Sequence, residues 1–415
     1  MEIALNKKYN QIIRRPKKYL PQSQWIAPPK TKGIKYISFL GSTGYADAAR
    51  NYVRSLLEYG IFVYFESVRC FGGKPSHLLS VDDLALAICM ENKHIEYDTV
   101  IIHTIPHYFH QCVDKERKLN PSVKIYGLTV WETDSVYPKW LNIIDNVKFD
   151  GLIVPSQWNK KIFEDSAKNH SLTNFPPIYS CHHVISSTHN INKKTLNKKT
   201  LYGRFRLAFL CIGTWTPRKG IAETIEAYLN AFQGQKDVTL YVKTNSGNYS
   251  KKHGLILRYR LKKILSNYEN PPQIILDTEL RSDDYIDALI ENCDVYLSLC
   301  NSEGVGLSAC SAALKEKIVI MTGYGGQTEY IQNAFWIEYK LDVVQVPTNF
   351  AEWIRPPQKW AYPDLNHAIQ CLQSVHQNYQ QLLKQQLFKQ NRNFILKTFS
   401  YTSIAQKLAS IIGWT

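Results

Sequence analysis

A chain of 415 residues, 44% hydrophobic and 20% charged, holds enough apolar material for two globular cores and too much to stay disordered. No apolar run reaches the length of about 18 residues that crosses a bilayer, and the N-terminus lacks the basic-then-apolar pattern of a secretory signal. The formal charge of +15 is gathered in places: Lys7, Lys8, Arg14, Arg15, Lys17 and Lys18 form a basic arm, and a tandem of Asn-Lys-Lys-Thr-Leu runs over 192–201. Such runs usually only solvate, as a tail and a flexible linker. The functional reading of the arm is attraction to an anionic membrane surface or a polyanionic acceptor. Nucleic acid is not expected, since there is no zinc-finger spacing and the aromatics do not concentrate in the basic segments. Nine cysteines with no C-x-x-C pair, several of them in apolar segments, read as reduced core residues of a cytoplasmic protein.

In chain order the elements alternate β and α. Tyr36–Leu40 reads as a buried strand, Gly41–Gly44 as a turn, and Ala46–Tyr59 as a helix closed by Gly60. Strand-like runs follow at Ile61–Phe65, Thr99–His103, Val123–Val130, Gly151–Pro155 and Ile178–Ile185. Short and almost continuously apolar, they suit a parallel sheet covered on both faces. The lysine-rich tandem interrupts the pattern. A second series then opens with strand Phe205–Ile212 and helix Ile221–Phe232, followed by strands Val238–Thr244 and Gln273–Asp277 and helix Asp283–Asn292. After them come strand Asp294–Leu299, a helix over 305–314, strand Lys317–Met321, a polar helical stretch over 365–391 and a last helix over 402–412.

The expected architecture is α/β, with two Rossmann-like doubly wound domains facing a cleft. The implied division is a basic arm (1–33), an N-terminal domain (34–190), a basic linker (191–203), a C-terminal domain (204–395) and a terminal helix (396–415) packing back on the N-terminal domain.

Three glycine-rich loops carry the chemistry. Asn301-Ser-Glu-Gly-Val-Gly-Leu-Ser308 follows a strand and opens a helix, so the free N–H groups and dipole of that helix favour an anion, with Glu303 beside it to accept from hydroxyls. Gly213-Thr-Trp-Thr-Pro-Arg-Lys-Gly220 brings Arg218 and Lys219 to another strand-to-helix turn, where a diphosphate could lie. Gly323-Tyr-Gly-Gly-Gln327 is the third. All three follow strands, and in a doubly wound sheet they share one rim.

This set of loops, with Gly41-Ser-Thr-Gly44, Val130-Trp-Glu-Thr-Asp134, Val154-Pro-Ser156 and the segment 360–364, resembles the GT-B glycosyltransferases of the retaining, family four type over roughly residues 34–413. The resemblance implies a nucleotide-sugar donor held mainly by the C-terminal domain. Arg218 and Lys219 would neutralise the diphosphate, and the backbone of Gly304, Val305, Gly306 and Leu307 would cradle the distal phosphate. Glu303 would bind the donor sugar's hydroxyls, Gly44 would let the N-terminal domain close over the phosphates, and His103 would stand beside the sugar.

The resemblance also implies retention by front-face displacement, the leaving phosphate taking the acceptor's proton. Neither a metal nor a cofactor beyond the donor is expected, and the acceptor is an unspecified glycan, lipid-linked or protein group. Two positions depart from the family: Ser311 stands where a second glutamate usually binds the ribose, and Thr214 where an arginine is common. Ser311 favours an alternative, a catalytically impaired nucleotide-sugar-binding or scaffold protein; a sugar-nucleotide epimerase is a third reading. The pairs Asp82-Asp83, Asp283-Asp284 and Asp277-x-Glu279 read as caps and strand-end polar residues, and His182-His183 as packing, because neighbours in a strand face opposite ways. Trp131, Trp140 and Trp158 read as core or cleft wall.

Overall fold

The computed structural model describes residues 25–41, 43–68, 83–186, 197–247, 249–346 and 352–414. The basic arm at 1–18, Ser42, Asp82, the side chain of Asp83 and the first lysine repeat (192–196) fall outside what is described.

In the N-terminal unit six parallel strands lie in the order β2-β1-β3-β4-β5-β6: β1 (Lys32–Phe39), β2 (Phe62–Val68), β3 (Glu96–His103), β4 (Lys124–Leu128), β5 (Gly151–Val154) and β6 (Ile178–Ser180). Between them run α1 (Gly44–Glu58), α2 (Asp83–Glu91), α3 (Phe109–Leu119), α4 (Pro138–Asn146) and α5 (Gln157–Asn169). A short α6 (Lys198–Tyr202) leads into the second unit, whose parallel sheet is ordered β12-β11-β10-β7-β8-β9. Its strands are β7 (Leu207–Thr214), β8 (Val238–Asn245), β9 (Gln273–Asp277), β10 (Val295–Ser298), β11 (Ile318–Thr322) and β12 (Phe335–Ile337). Helices α7 (Ile221–Phe232), α8 (Lys251–Leu265), α9 (Asp283–Asn292), α10 (Leu307–Leu314) and α11 (Gln327–Tyr330) connect them. An antiparallel pair, β13 (Tyr339–Val343) and β14 (Lys359–Pro363), precedes α12 (Leu365–Lys384), α13 (Leu387–Thr398) and α14 (Tyr401–Ile412).

Both sheets change winding direction, the first between β1 and β3 and the second between β7 and β10. At such points the flanking loops diverge and leave a crevice beyond the carboxyl ends of the strands. Gly41, Gly44 and the end of β3 at His103 lie at the first crevice; the Arg218-Lys219 turn and the Glu303 loop lie at the second. The apolar side chains of these strands are almost wholly buried, which explains their unbroken hydrophobic runs. Cys211, Cys300 and Cys310 are buried free thiols, as their setting suggested.

Several expectations shift. The second lysine repeat is no loose linker: Asn197 caps α6, Leu201 and Tyr202 are buried, and the Tyr202 hydroxyl donates to Leu289 O at 2.7 Å. The stretch 365–391 is two helices broken at Gln386, where φ is +55°; no glycine or proline announced the break. Helix α8 and the β13–β14 pair went unread. The run 178–185 forms a strand only to Ser180, since beyond Cys181, whose N–H reaches Val154 O at 2.8 Å, the chain turns toward the C-terminal unit.

Helix α14 lies along α1, where Tyr401 donates to Asn51 Oδ1 at 3.1 Å. Among the described residues no helix is long and apolar enough to cross a membrane.

Candidate active site

The turn after β7 is built on Gly220. Its φ of +57° belongs to the left-handed region, and a Cβ there would stand 1.9 Å from Leu299 O, so two independent constraints require glycine. The close approach lets the loops after β7 and β10 interlock: Asn301 N donates to Arg218 O at 2.8 Å, and its side-chain amide to Pro217 O at 3.1 Å.

Arg218 is thereby fixed with Nη1 on Ser302 O (2.8 Å), Glu303 Oε2 (3.3 Å) and Glu132 Oε1 (3.0 Å). The Lys219 ammonium pairs with the other Glu303 oxygen. Two cations and two carboxylates from both units therefore converge on one point of the cleft.

Burial alone would push the Glu303 carboxyl up, but Lys219 and Arg218 outweigh it and hold it below the usual glutamate range. Glu132 goes the other way: burial raises it, and Glu303 nearby adds to the effect against the pull of Arg218. Glu303 is thus the fixed anion of the cluster, and Glu132 the group that takes a proton more readily.

The two other glycine loops close around this cluster. Gly306, at φ +71°, caps α10, and no side chain among the described residues takes the cap hydrogen bond, which leaves the first-turn N–H groups without one. Gly326 N donates to Glu303 O at 2.9 Å, and a Cβ on Gly326 would come within 1.9 Å of Gly304 O. A Cβ on Gly304 would meet Val130 Cγ2 at 2.2 Å. At Gly304 and Gly326 the loops and the two units thus pack too closely for a side chain. Gly44, the first residue of α1, is the exception, with nothing among the described residues within 4 Å of an added Cβ. Val305 is buried, while Leu307 and Ser311 lie partly exposed along α10.

His103 does not join the cluster. It is buried at the end of β3, its Nδ1 2.8 Å from the Tyr36 hydroxyl and its ring packed against Tyr45, Tyr52 and His183. Burial, with a smaller effect of His183, holds its pKa well below the ordinary histidine value, so the ring is neutral. Tyr45, in contact with His103, also lines a cavity of about 200 Å³ walled by Trp131, Glu132, Trp140 and Trp353.

Two carboxylates that sequence reasoning gave no role hold the units together. Glu132 follows β4 as Glu303 follows β10, so a carboxylate just past a strand's carboxyl end was the available signal. Glu329 accepts from the N–H groups of Gln157 (2.9 Å) and Trp158 (2.6 Å) at the start of α5, and lies 2.9 Å from His182 Nε2. The His183 ring turns to Tyr52, with Nδ1 3.1 Å from its hydroxyl, while the His183 N–H donates to the Tyr330 hydroxyl at 2.8 Å. Asp277 is held by Tyr241 and Arg281, and Asp283 and Asp284 sit in the first turn of α9. Among the described residues no cluster of three or more His, Cys, Asp or Glu side chains could hold a metal ion.

Residues 193–349 match the family model described as glycosyl transferases group 1. No curated protein matches the sequence. Among solved structures, Anabaena HepE in complex with UDP-glucose is 12% identical, with a TM-score of 0.61 over 92% of this chain and 100% of that one. The E. coli trehalose-6-phosphate synthase bound with UDP-2-fluoro glucose gives 12% identity and a TM-score of 0.62, covering 92% and 99%. Sucrose-phosphate synthase from Thermosynechococcus elongatus gives 14% and 0.58, covering 92% and 98%. Identities this low speak for the fold, and the family model speaks for the cluster-bearing half. With two facing doubly wound sheets and a match to the group 1 model over residues 193–349, the chain has the GT-B fold and is similar there to the glycosyl transferases of group 1.

Proposed function

We propose that the protein transfers a sugar from a nucleotide-sugar to an acceptor, with retention of anomeric configuration and without a divalent metal. The observation that carries this reading is the convergence of Arg218, Lys219 and Glu303 at the start of α10. Breaking the anomeric C–O bond leaves negative charge on the diphosphate, and two cations with a helix N-terminus are placed to stabilise it more in the transition state than in the ground state. They supply the positive charge a metal would otherwise bring, and no cofactor besides the donor is needed.

In this reading Arg218 and Lys219 hold the diphosphate and the backbone from Gly304 through Val305 and Gly306 to Leu307 receives the distal phosphate. Glu303, kept ionised, accepts from the sugar hydroxyls. Gly44 leaves space for the phosphates at the N-terminal side, and Ser311 contributes a hydroxyl toward the nucleotide. The bonds change at one face of the sugar: the acceptor oxygen bonds to the anomeric carbon as the leaving phosphate departs and takes the acceptor's proton. His103 reaches the sugar only if Tyr45 moves aside. The complexes of the HepE and trehalose-6-phosphate synthase neighbours with UDP-sugars suggest a uridine nucleotide here.

Incubation with a panel of nucleotide-sugars tests the reading: slow release of free nucleoside diphosphate without acceptor is expected. Thermal stabilisation by the diphosphate with no turnover of any donor would instead support the impaired, nucleotide-sugar-binding reading that Ser311 favours.

A further inference from the structure

Helix α8 starts just past the carboxyl end of β8, at the cleft rim, and runs back along the second sheet. Its inner face is Gly254, Leu257 and Leu261, all buried, and Gly254 lets the helix approach Thr278 closely. The outer face is unusual. Leu255, Ile256 and Tyr259 are 67%, 40% and 70% exposed. At i, i+1 and i+4 they form one contiguous patch opposite the buried stripe. Around them stand Lys251, Lys252, Arg258, Arg260, Lys262 and Lys263, all exposed. The helix has no acidic residue, and none of these six cations is ion-paired among the described residues.

A merely solvated helix explains the cations but not three large apolar side chains side by side on the surface. Like charges with no acid at i+4 also weaken the isolated helix, a cost that a negatively charged surface removes. We propose that α8 docks the C-terminal domain onto an anionic lipid surface. Leu255, Ile256 and Tyr259 enter the boundary between headgroups and acyl chains, and the six cations lie on the lipid phosphates. A nucleic acid would use the cations and the ring of Tyr259 but has no place for Leu255 and Ile256. Because the first turns of α8 lie at the rim, docking turns the cleft toward the bilayer; taken with the transferase reading above, on which this consequence rests, it fits an acceptor carried by lipid.

Sedimentation of the full chain with vesicles tests the proposal, using phosphatidylcholine alone and with about 30% phosphatidylglycerol in about 0.15 M salt. The wild type is expected to pellet only with the anionic vesicles. Combined Leu255→Ser, Ile256→Ser and Tyr259→Ser is expected to lower that partition about tenfold or more. Lys252→Glu with Lys263→Glu is expected to lower it as well. Melting and nucleotide-sugar affinity stay unchanged in both variants, so a failure here is separable from a failure of the transferase reading. The proposal is overturned if the wild type ignores anionic vesicles, or if the triple variant binds them equally well, which would assign binding to residues outside α8. Tighter binding to single-stranded RNA than to vesicles, unaffected by the triple variant, overturns it too.

Discussion

Glu132→Gln removes a carboxylate that competes with an incoming diphosphate for Arg218. The Glu132 Oε1 to Arg218 Nη1 separation is 3.0 Å, with the side chains 29% and 14% exposed. Two unit charges that close attract by about 5 kcal/mol at an effective dielectric of about 20. Desolvation offsets most of this, leaving a coupling of about 1–2 kcal/mol for a partly buried pair. A diphosphate that takes over Arg218 gives up that coupling in the wild type and not in the variant. The variant is therefore expected to bind a nucleotide-sugar about five- to thirty-fold more tightly.

Titration calorimetry with a 2-fluoro nucleotide-sugar that resists transfer reads this directly. The dependence on pH supplies an internal check, since both donor phosphates stay ionised throughout. Glu132 has a raised pKa, so as the pH falls through it the wild-type carboxyl becomes neutral and its affinity rises toward that of the variant. The two curves converge at low pH and separate as the pH rises. Equal or weaker binding by the variant at neutral pH, or parallel curves, would refute the placement of the diphosphate on Arg218.

Glu303→Ala leaves Arg218 and Lys219 misplaced and unbalanced; kcat/KM is expected to fall about 10²–10³-fold with the circular dichroism spectrum unchanged, and undiminished transfer removes the role assigned to Glu303. Gly326→Ala drives a Cβ into Gly304 O and is expected to lower stability by about 2–4 kcal/mol, read by urea unfolding. Gly44→Ala meets no atom of the described residues, so stability stays or rises by about 0.5 kcal/mol, whereas donor affinity drops; unchanged affinity would show that the phosphates pass elsewhere. Glu329→Gln costs about 2–3 kcal/mol through its charge-assisted bonds to α5 and His182. Burial alone would raise the Glu329 carboxyl, but His182 and the two N–H donors lower it. Its contribution is therefore complete above the ordinary glutamate value and lost as the pH falls through the depressed one, so the melting difference between variant and wild type narrows in acid.

Most strands and the doubly wound pattern were legible because a buried parallel strand must be apolar on both faces, and that leaves an unbroken run such as 207–212 or 318–321. The Arg218-Lys219 and Glu303 loops were legible for a related reason: each marks the change from strand to helix with glycine, and topology alone puts such turns on one rim. The break at Gln386 was not, because an exposed, glutamine-rich helix can end without a glycine or proline when packing onto a neighbour decides the matter.

Tertiary structure alone decided what the site residues do to one another. Glu132 and Arg218 lie 86 positions apart and meet only because two sheets face each other. Gly220 and Gly326 are required by carbonyl groups arriving from other loops, and His103 is sealed off by aromatic rings from α1. Local sequence fixes backbone preference and periodicity. The approach of one carboxylate to another unit's cation depends on the docking of whole domains, and no window of the chain contains that distance.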